Sequence, residues 1–172
     1  MASLLAGALV ISTFLGASAL MVSSFLASSV TQAQSLKDFT RSSQGLVGGA
    51  LNITNAAVYP PGGGDVWVHV DNTGSHSVAN FGQMDVIMQY TDTSNNLRLT
   101  YLDYNASGAG ANQWTVSATG VQPDDFNPRI WNSDETLLLD LQVSPAIKTG
   151  TPALVVVATP WGVSDQNSVD NQ

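Results

Sequence analysis

From Met1 to Leu36 the chain carries no charged residue, and its first thirty residues, MASLLAGALVISTFLGASALMVSSFLASSV, contain no proline. A stretch of this kind is longer than the ~20 apolar residues that cross a bilayer. Its large side chains, Leu4, Leu5, Leu9, Val10, Ile11, Phe14, Leu15, Leu20, Met21, Val22, Phe25 and Leu26, cover every side of a helix instead of one stripe. A helix apolar all round has to be surrounded on all sides. Small residues recur between them at four-residue spacing: Ala2 and Ala6, Ser3 and Gly7, Ser12 and Gly16, Ala19 and Ser23, Ser24 and Ser28. Pairs at that spacing let helix backbones approach closely, so the segment reads as one that packs against other helices. A lipid-facing span that merely tolerates Ala and Ser is the blander alternative.

The apolar face continues through Leu36 and Phe39 while Lys37, Asp38 and Arg41 begin a polar one. The pattern predicts a helix to about Ser43, ended by Gly45 or the Gly48-Gly49 pair, and on the order of 65 Å long. A secretory signal peptide fits poorly, because no Lys or Arg precedes the run and its apolar part exceeds the ~7–15 residues usual there.

After Gly49 the period changes to two. LNITNAAVY and DVWVHVDN flank a Pro60-Pro61-Gly62-Gly63-Gly64 turn and predict a hairpin, with Val66, Val68 and Val70 on one face and Trp67 and His69 on the other. Further strands are expected over 84–90, 97–104, 113–119, 136–143 and 153–159, each bounded by turn-forming residues. The tail VSDQNSVDNQ reads as a short polar end. The expected fold class is α+β: a long N-terminal apolar helix over 1–45, then an immunoglobulin-like antiparallel β-sandwich over 46–172.

Chemistry is excluded more readily than assigned. Beyond Gly45 the chain has twelve acids against three bases, a balance that repels phosphate backbones and argues against a nucleic-acid partner. The absence of cysteine removes disulfides, thiolate metal sites and cysteine nucleophiles. His69 lies in a strand and His76 in a turn, and nothing assembles them with Ser75, Ser77 or Asp71 into a triad, so an enzyme is not expected. Asp92-Thr93-Ser94-Asn95-Asn96 is only a faint substitute for a calcium loop, and no cofactor or metal site is expected. The tryptophans at 67, 114, 131 and 161 and the tyrosines at 59, 90, 101 and 104 read as packing residues before they read as a sugar-binding face. Two sequons, Asn52-Ile53-Thr54 and Asn105-Ala106-Ser107, are candidate N-glycosylation sites, with Asn105 favoured for its Gly-rich loop.

Taken together, the apolar segment and the strand pattern resemble archaellins, the archaeal flagellins, and the wider archaeal type IV pilin-like proteins. The resemblance rests on LNITNAAVY (51–59), DVWVHVDNTGS (65–75), MDVIMQY (84–90), Trp114-Thr115-Val116, DDFNPRIWNSDET (124–136) and VVVATPWGV (155–163). It implies a cell-surface filament subunit that is stored in the membrane, meets an assembly and motor platform, and polymerises with copies of itself. The polymerisation core would be Leu4, Leu5, Gly7, Leu9, Ile11, Phe14, Leu15, Gly16, Leu20, Met21, Phe25 and Leu26, with Lys37, Asp38 and Arg41 setting axial register. Leu5 stands where bacterial pilins have a glutamate, which favours the archaellin branch. No basic leader with a Lys/Arg-Gly junction precedes Met1, so the numbering is expected to start at the processed end or to follow an unusual leader. The competing expectations are a membrane-anchored accessory or stator protein of the same machinery and an adhesive type IV-like pilus subunit. A tethered sandwich enzyme or lectin is a third class, for which the sequence offers no site.

Overall fold

The structure, a computed structural model, describes residues 48–172. They form eight β-strands and one 3-10 turn: β1 (Leu51–Val58), β2 (Asp65–Asn72), the turn Phe81–Gln83, β3 (Asp85–Thr91), β4 (Leu97–Tyr104), β5 (Gln113–Gln122), β6 (Thr136–Gln142), β7 (Ala153–Ala158) and β8 (Ser164–Val169). The hydrogen-bonded order is β1-β2-β6-β5-β4-β3-β7-β8.

This corrects the expected fold class. The described residues are all-β, and in place of a long helix followed by a two-sheet immunoglobulin-like sandwich they form one nearly closed eight-stranded sheet. The physical reason lies in β4. Over Leu97–Leu102 it pairs antiparallel with β3, but its last two residues, Asp103 and Tyr104, pair in parallel with Gln113 and Trp114 of β5. That short splice joins two halves that periodicity alone cannot tell from separate sheets. The helix expected over 1–45, with every polymerisation and register residue assigned to it, lies outside the described residues.

Alternation builds most strands as expected. In β2 the even positions Val66, Val68, Val70 and Asn72 are buried while Asp65, Trp67, His69 and Asp71 face outward. Burial in β1 switches from the odd positions Leu51 and Ile53 to the even positions Ala56 and Val58. A bulge between Ile53 and Asn55 produces the switch, since one extra residue reverses every later side chain. β1 and β2 are antiparallel neighbours, as the predicted hairpin requires.

The core fills the space between the two halves. Leu137, Leu139 and Leu141 of β6 and Val155 and Val157 of β7 line it with Val86, Met88 and Tyr90 of β3, and Trp114 and Trp131 are its largest members. Each buried aliphatic side chain contributes roughly 1.5–3 kcal/mol. Trp131 also donates its indole N–H to the Glu135 carbonyl at 2.8 Å.

The strand β8 falls in the tail that reads as a polar end. It has no apolar stripe, and only Val169 is buried. Backbone pairing with β7 holds one of its sides, from Ala153↔Val169 to Ala158↔Ser164. Its other side meets β1 through side chains, which take the place of a ladder: Ile53 N–H donates to Asp165 Oδ2 at 2.8 Å, and Asn167 Nδ2 donates to the Ile53 carbonyl at 2.7 Å. Val58 and Asp170 complete the seam, Val58 N–H donating to the Asp170 carbonyl at 2.8 Å.

Candidate assembly surface

The described residue pattern departs most from alternation in β4. Its sequence LRLTYLDY invites Leu97, Leu99 and Tyr101 into the core, yet they are 71%, 76% and 54% exposed, while Leu102 is fully buried. Register explains the inversion. Tyr90, Met88 and Val86, all core residues, stand opposite Arg98, Thr100 and Leu102, so the even positions of β4 share the inner face. The odd positions must then point outward, beside Thr91, Gln89 and Ile87. Across β3 the same outer face continues into Leu154 and Val156 of β7, both half-buried.

The backbone of this strand is open as well. Asp103 N–H donates to the Asn112 carbonyl on the β5 side at 3.1 Å. Backbone groups point alternately to the two sides of a strand, so the N–H and C=O of Leu97, Leu99 and Tyr101 face that side too. The β4–β5 pairing reaches only Asp103 and Tyr104. An edge with free backbone groups and exposed apolar side chains is a surface suited to protein contact. Tyr101 is anchored at its polar tip, donating its hydroxyl to Asp85 Oδ1 at 2.8 Å. That hydrogen bond, together with burial and the negative charges of Asp85 and Asp103, holds the phenol above its ordinary pKa.

The two histidines are brought into no shared site. His69 packs outward against Trp67, with ring centroids 5.0 Å apart, and His76 packs against Trp161 at 5.1 Å. Asp92 is spoken for by its own turn: Ser94 N–H and Asn96 N–H donate to its Oδ1 at 2.8 and 2.9 Å, and Arg98 Nε donates to Oδ2 at 2.8 Å. Among the described residues no group of three or more His, Cys, Asp or Glu converges as metal ligands do. Trp114, Trp131 and Tyr90 are core residues, whereas Trp67 is half-exposed and Tyr59 is 73% exposed.

The two sequon asparagines differ in their contacts. Asn52 is an exposed, outward residue of β1. Asn105 is half-buried; its Nδ2 donates to Gln113 Oε1 at 3.0 Å and its Oδ1 accepts from Ser107 N–H at 3.0 Å.

No family model matches the chain, and no curated protein matches it in sequence. Solved structures do resemble it. The archaeal flagellum of Methanospirillum hungatei aligns with a TM-score of 0.53 at 13% identity, covering 98% of this chain and 94% of that one. Archaeal flagellin FlaB1 from Methanocaldococcus jannaschii aligns with a TM-score of 0.51 at 14% identity, covering 72% and 91%. The archaellum periplasmic stator protein FlaG from Sulfolobus acidocaldarius aligns with a TM-score of 0.49 at 14% identity, covering 70% and 98%. At these identities the likeness is one of architecture, and the resemblance read from the sequence holds at that level: the chain has an archaellin-like fold.

Proposed function

We propose that this chain is a structural subunit of an extracellular, archaellum-type filament and not an enzyme. The observation that carries the reading is a pairing: an archaellin-like β-domain follows 36 residues without a charge. Such a segment is stable in a bilayer and equally stable in a dry core shared with other copies, so transfer between them loses little apolar burial. Leu4, Leu5, Gly7, Leu9, Ile11, Phe14, Leu15, Gly16, Leu20, Met21, Phe25 and Leu26 are the residues proposed to form that core. Lys37, Asp38 and Arg41 stand at its margin and set axial register by pairing with charges of neighbouring copies. The partners are then other copies of the chain, the membrane before assembly, and the platform that adds subunits.

The exposed stripe of Leu97, Leu99 and Tyr101 supports the reading from the β-domain side, since apolar side chains gathered on an open strand edge suit contact with another protein surface. Negative-stain electron microscopy of the purified full chain is the test. Smooth helical fibres are expected; monodisperse, detergent-bound particles would favour a membrane-anchored accessory protein instead. Lys37→Glu combined with Arg41→Glu is expected to shorten the fibres or abolish them, and unchanged fibre yield and length would remove the register role.

A further inference from the structure

Two features at opposite ends of one sheet complement each other. At one end lies a groove of about 420 Å³, walled by Tyr59 and Trp67, flanked by Asp65 and Asp140 and closed by Ala109 and Thr115. Asp65 and Asp140 are both exposed, and Asp65 Oδ1 accepts from Gln142 Nε2 at 3.0 Å. An aromatic wall beside two carboxylates suits a cation carried next to an apolar group.

At the other end projects the loop over 123–129, in which every residue is exposed. Phe126 is 77% exposed at its tip, and Arg129 follows three residues later with a φ of 70°. The loop is braced from beneath. Asn132 Nδ2 donates to the Phe126 carbonyl at 2.7 Å, Ile130 N–H donates to the Asn127 carbonyl at 3.0 Å, and Arg129 N–H donates to Asp124 Oδ2 at 3.2 Å. An exposed aromatic held on a braced loop loses little conformational freedom when it docks.

Placement and charge select the occupant of the groove. The groove sits where Trp67 and Thr115 flank Asp140, and the loop leaves the sheet where Gln122 meets Thr136. Four residues of β6, from Thr136 to Asp140, separate them, a rise of roughly 13 Å, and the bonds from Asn132 to Phe126 and from Arg129 to Asp124 hold the loop at its own end, which leaves the groove open to another copy. With twelve acids and three bases beyond Gly45, two copies repel unless their contact brings a cation to an acid. Arg98 is held by Asp92, the only ion pair among the described residues, and Lys148 Nζ is engaged with Asn95 Oδ1 at 2.5 Å. Arg129 is the one described Lys or Arg whose side chain has no hydrogen bond or ion pair among the described residues, and it lies three residues from the exposed Phe126 in the same loop.

We propose that Phe126 and Arg129 of one copy seat in the Tyr59, Trp67, Asp65 and Asp140 groove of the next. The contact is head-to-tail, between different patches of the two copies, and therefore repeats without closing. It deepens the filament reading and rests on it only for the number of repeats.

The chain has no cysteine, so an introduced pair reports alone. In the purified full chain, Asp125→Cys with Ala109→Cys, mildly oxidised, is expected to give a ladder of covalent oligomers beyond the dimer. Neither single variant should extend beyond a dimer. Adding Arg129→Glu should reduce the ladder about tenfold or more, Arg129→Gln should reduce it less, and Asp140→Arg on the Arg129→Glu background should restore it. Unaltered near-ultraviolet circular dichroism checks that each variant is folded. Fibres without a ladder, or a ladder indifferent to Arg129→Glu, would overturn this contact and leave the filament reading standing. A ladder without fibres would uphold the contact and sink the filament reading, and the absence of both would sink both.

Discussion

Arg98 Nε donates to Asp92 Oδ2 at 2.8 Å across the turn between β3 and β4, with the Asp92 carboxylate fully enclosed and the Arg98 side chain 45% exposed. The pair sits on the inner face of the hairpin and sets β4's parity. With Arg98 inward, Leu97, Leu99 and Tyr101 must point out. A slip of one residue would turn those three inward and part Arg98 from Asp92.

The pH dependence of this turn follows from the same contacts. The Asn96 N–H is the largest influence lowering the Asp92 carboxyl, burial opposes it, and Arg98, the Asn96 side chain and the Ser94 N–H lower it further, to about 2. The folded value is thus below the unfolded one, near ~3.9. Its stabilising contribution is present in full above that unfolded value and is lost as pH falls toward about 2. Asp92→Asn is expected to lower the thermal midpoint at pH 7 and to flatten the fall in midpoint between pH 4 and pH 2. A variant that keeps the wild-type profile would count against this role.

The Tyr90 hydroxyl is fully buried with no hydrogen-bond partner among the described residues. An unsatisfied buried donor costs about 1–3 kcal/mol, and removing it leaves the ring packing intact. Tyr90→Phe should therefore raise stability by about 1 kcal/mol in urea unfolding. A loss of stability would mean that the hydroxyl is satisfied in solution.

At the β1–β8 seam, Asp165 and Asn167 supply by side chain what a ladder would supply by backbone. Replacing both with Ala leaves Ile53 N–H and C=O without these partners, at a cost of roughly 1–3 kcal/mol. Hydrogen exchange at the Ile53 amide is expected to speed up well before that of Val68 in the core. Equal protection at both amides would show that the seam needs neither side chain.

If the producing cell glycosylates surface proteins, Asn52 is the expected acceptor, since it is exposed whereas Asn105 spends both ends of its amide on Gln113 and Ser107. Peptide mapping should find the glycan on the Asn52 peptide and lose it in Thr54→Ala. An occupied Asn105 with a bare Asn52 would reverse this order.

Leu99 contributes little to the folded monomer because it is 76% exposed. Leu99→Lys is expected to change unfolding stability by no more than about 0.5 kcal/mol while weakening self-association of the chain. A marked loss of stability would show that the stripe is packed against the protein itself.

The sequence by itself determined where most strands lie and which way several of them face. Strict alternation in DVWVHVDN leaves one way to bury three valines, and the shift of apolar positions within LNITNAAV already contains the bulge. It also shows that residues 1–36 carry no charge and that the first thirty are predominantly apolar. Pairing was not legible. Alternation is a property of one strand, whereas closure depends on the last two residues of β4 turning to β5, and β8 is ordered by bonds to β7 and β1 that its polar composition does not announce. The faces of β4 were decided the same way: hydrophobicity favours Leu97 and Leu99 inside, but a buried carboxylate 2.8 Å from Arg98 holds the opposite register. The groove and the loop that complements it exist only once β2, β5 and β6 are side by side, because residues from 59 to 141 must meet to form the one and β6 must carry the chain from it to the other.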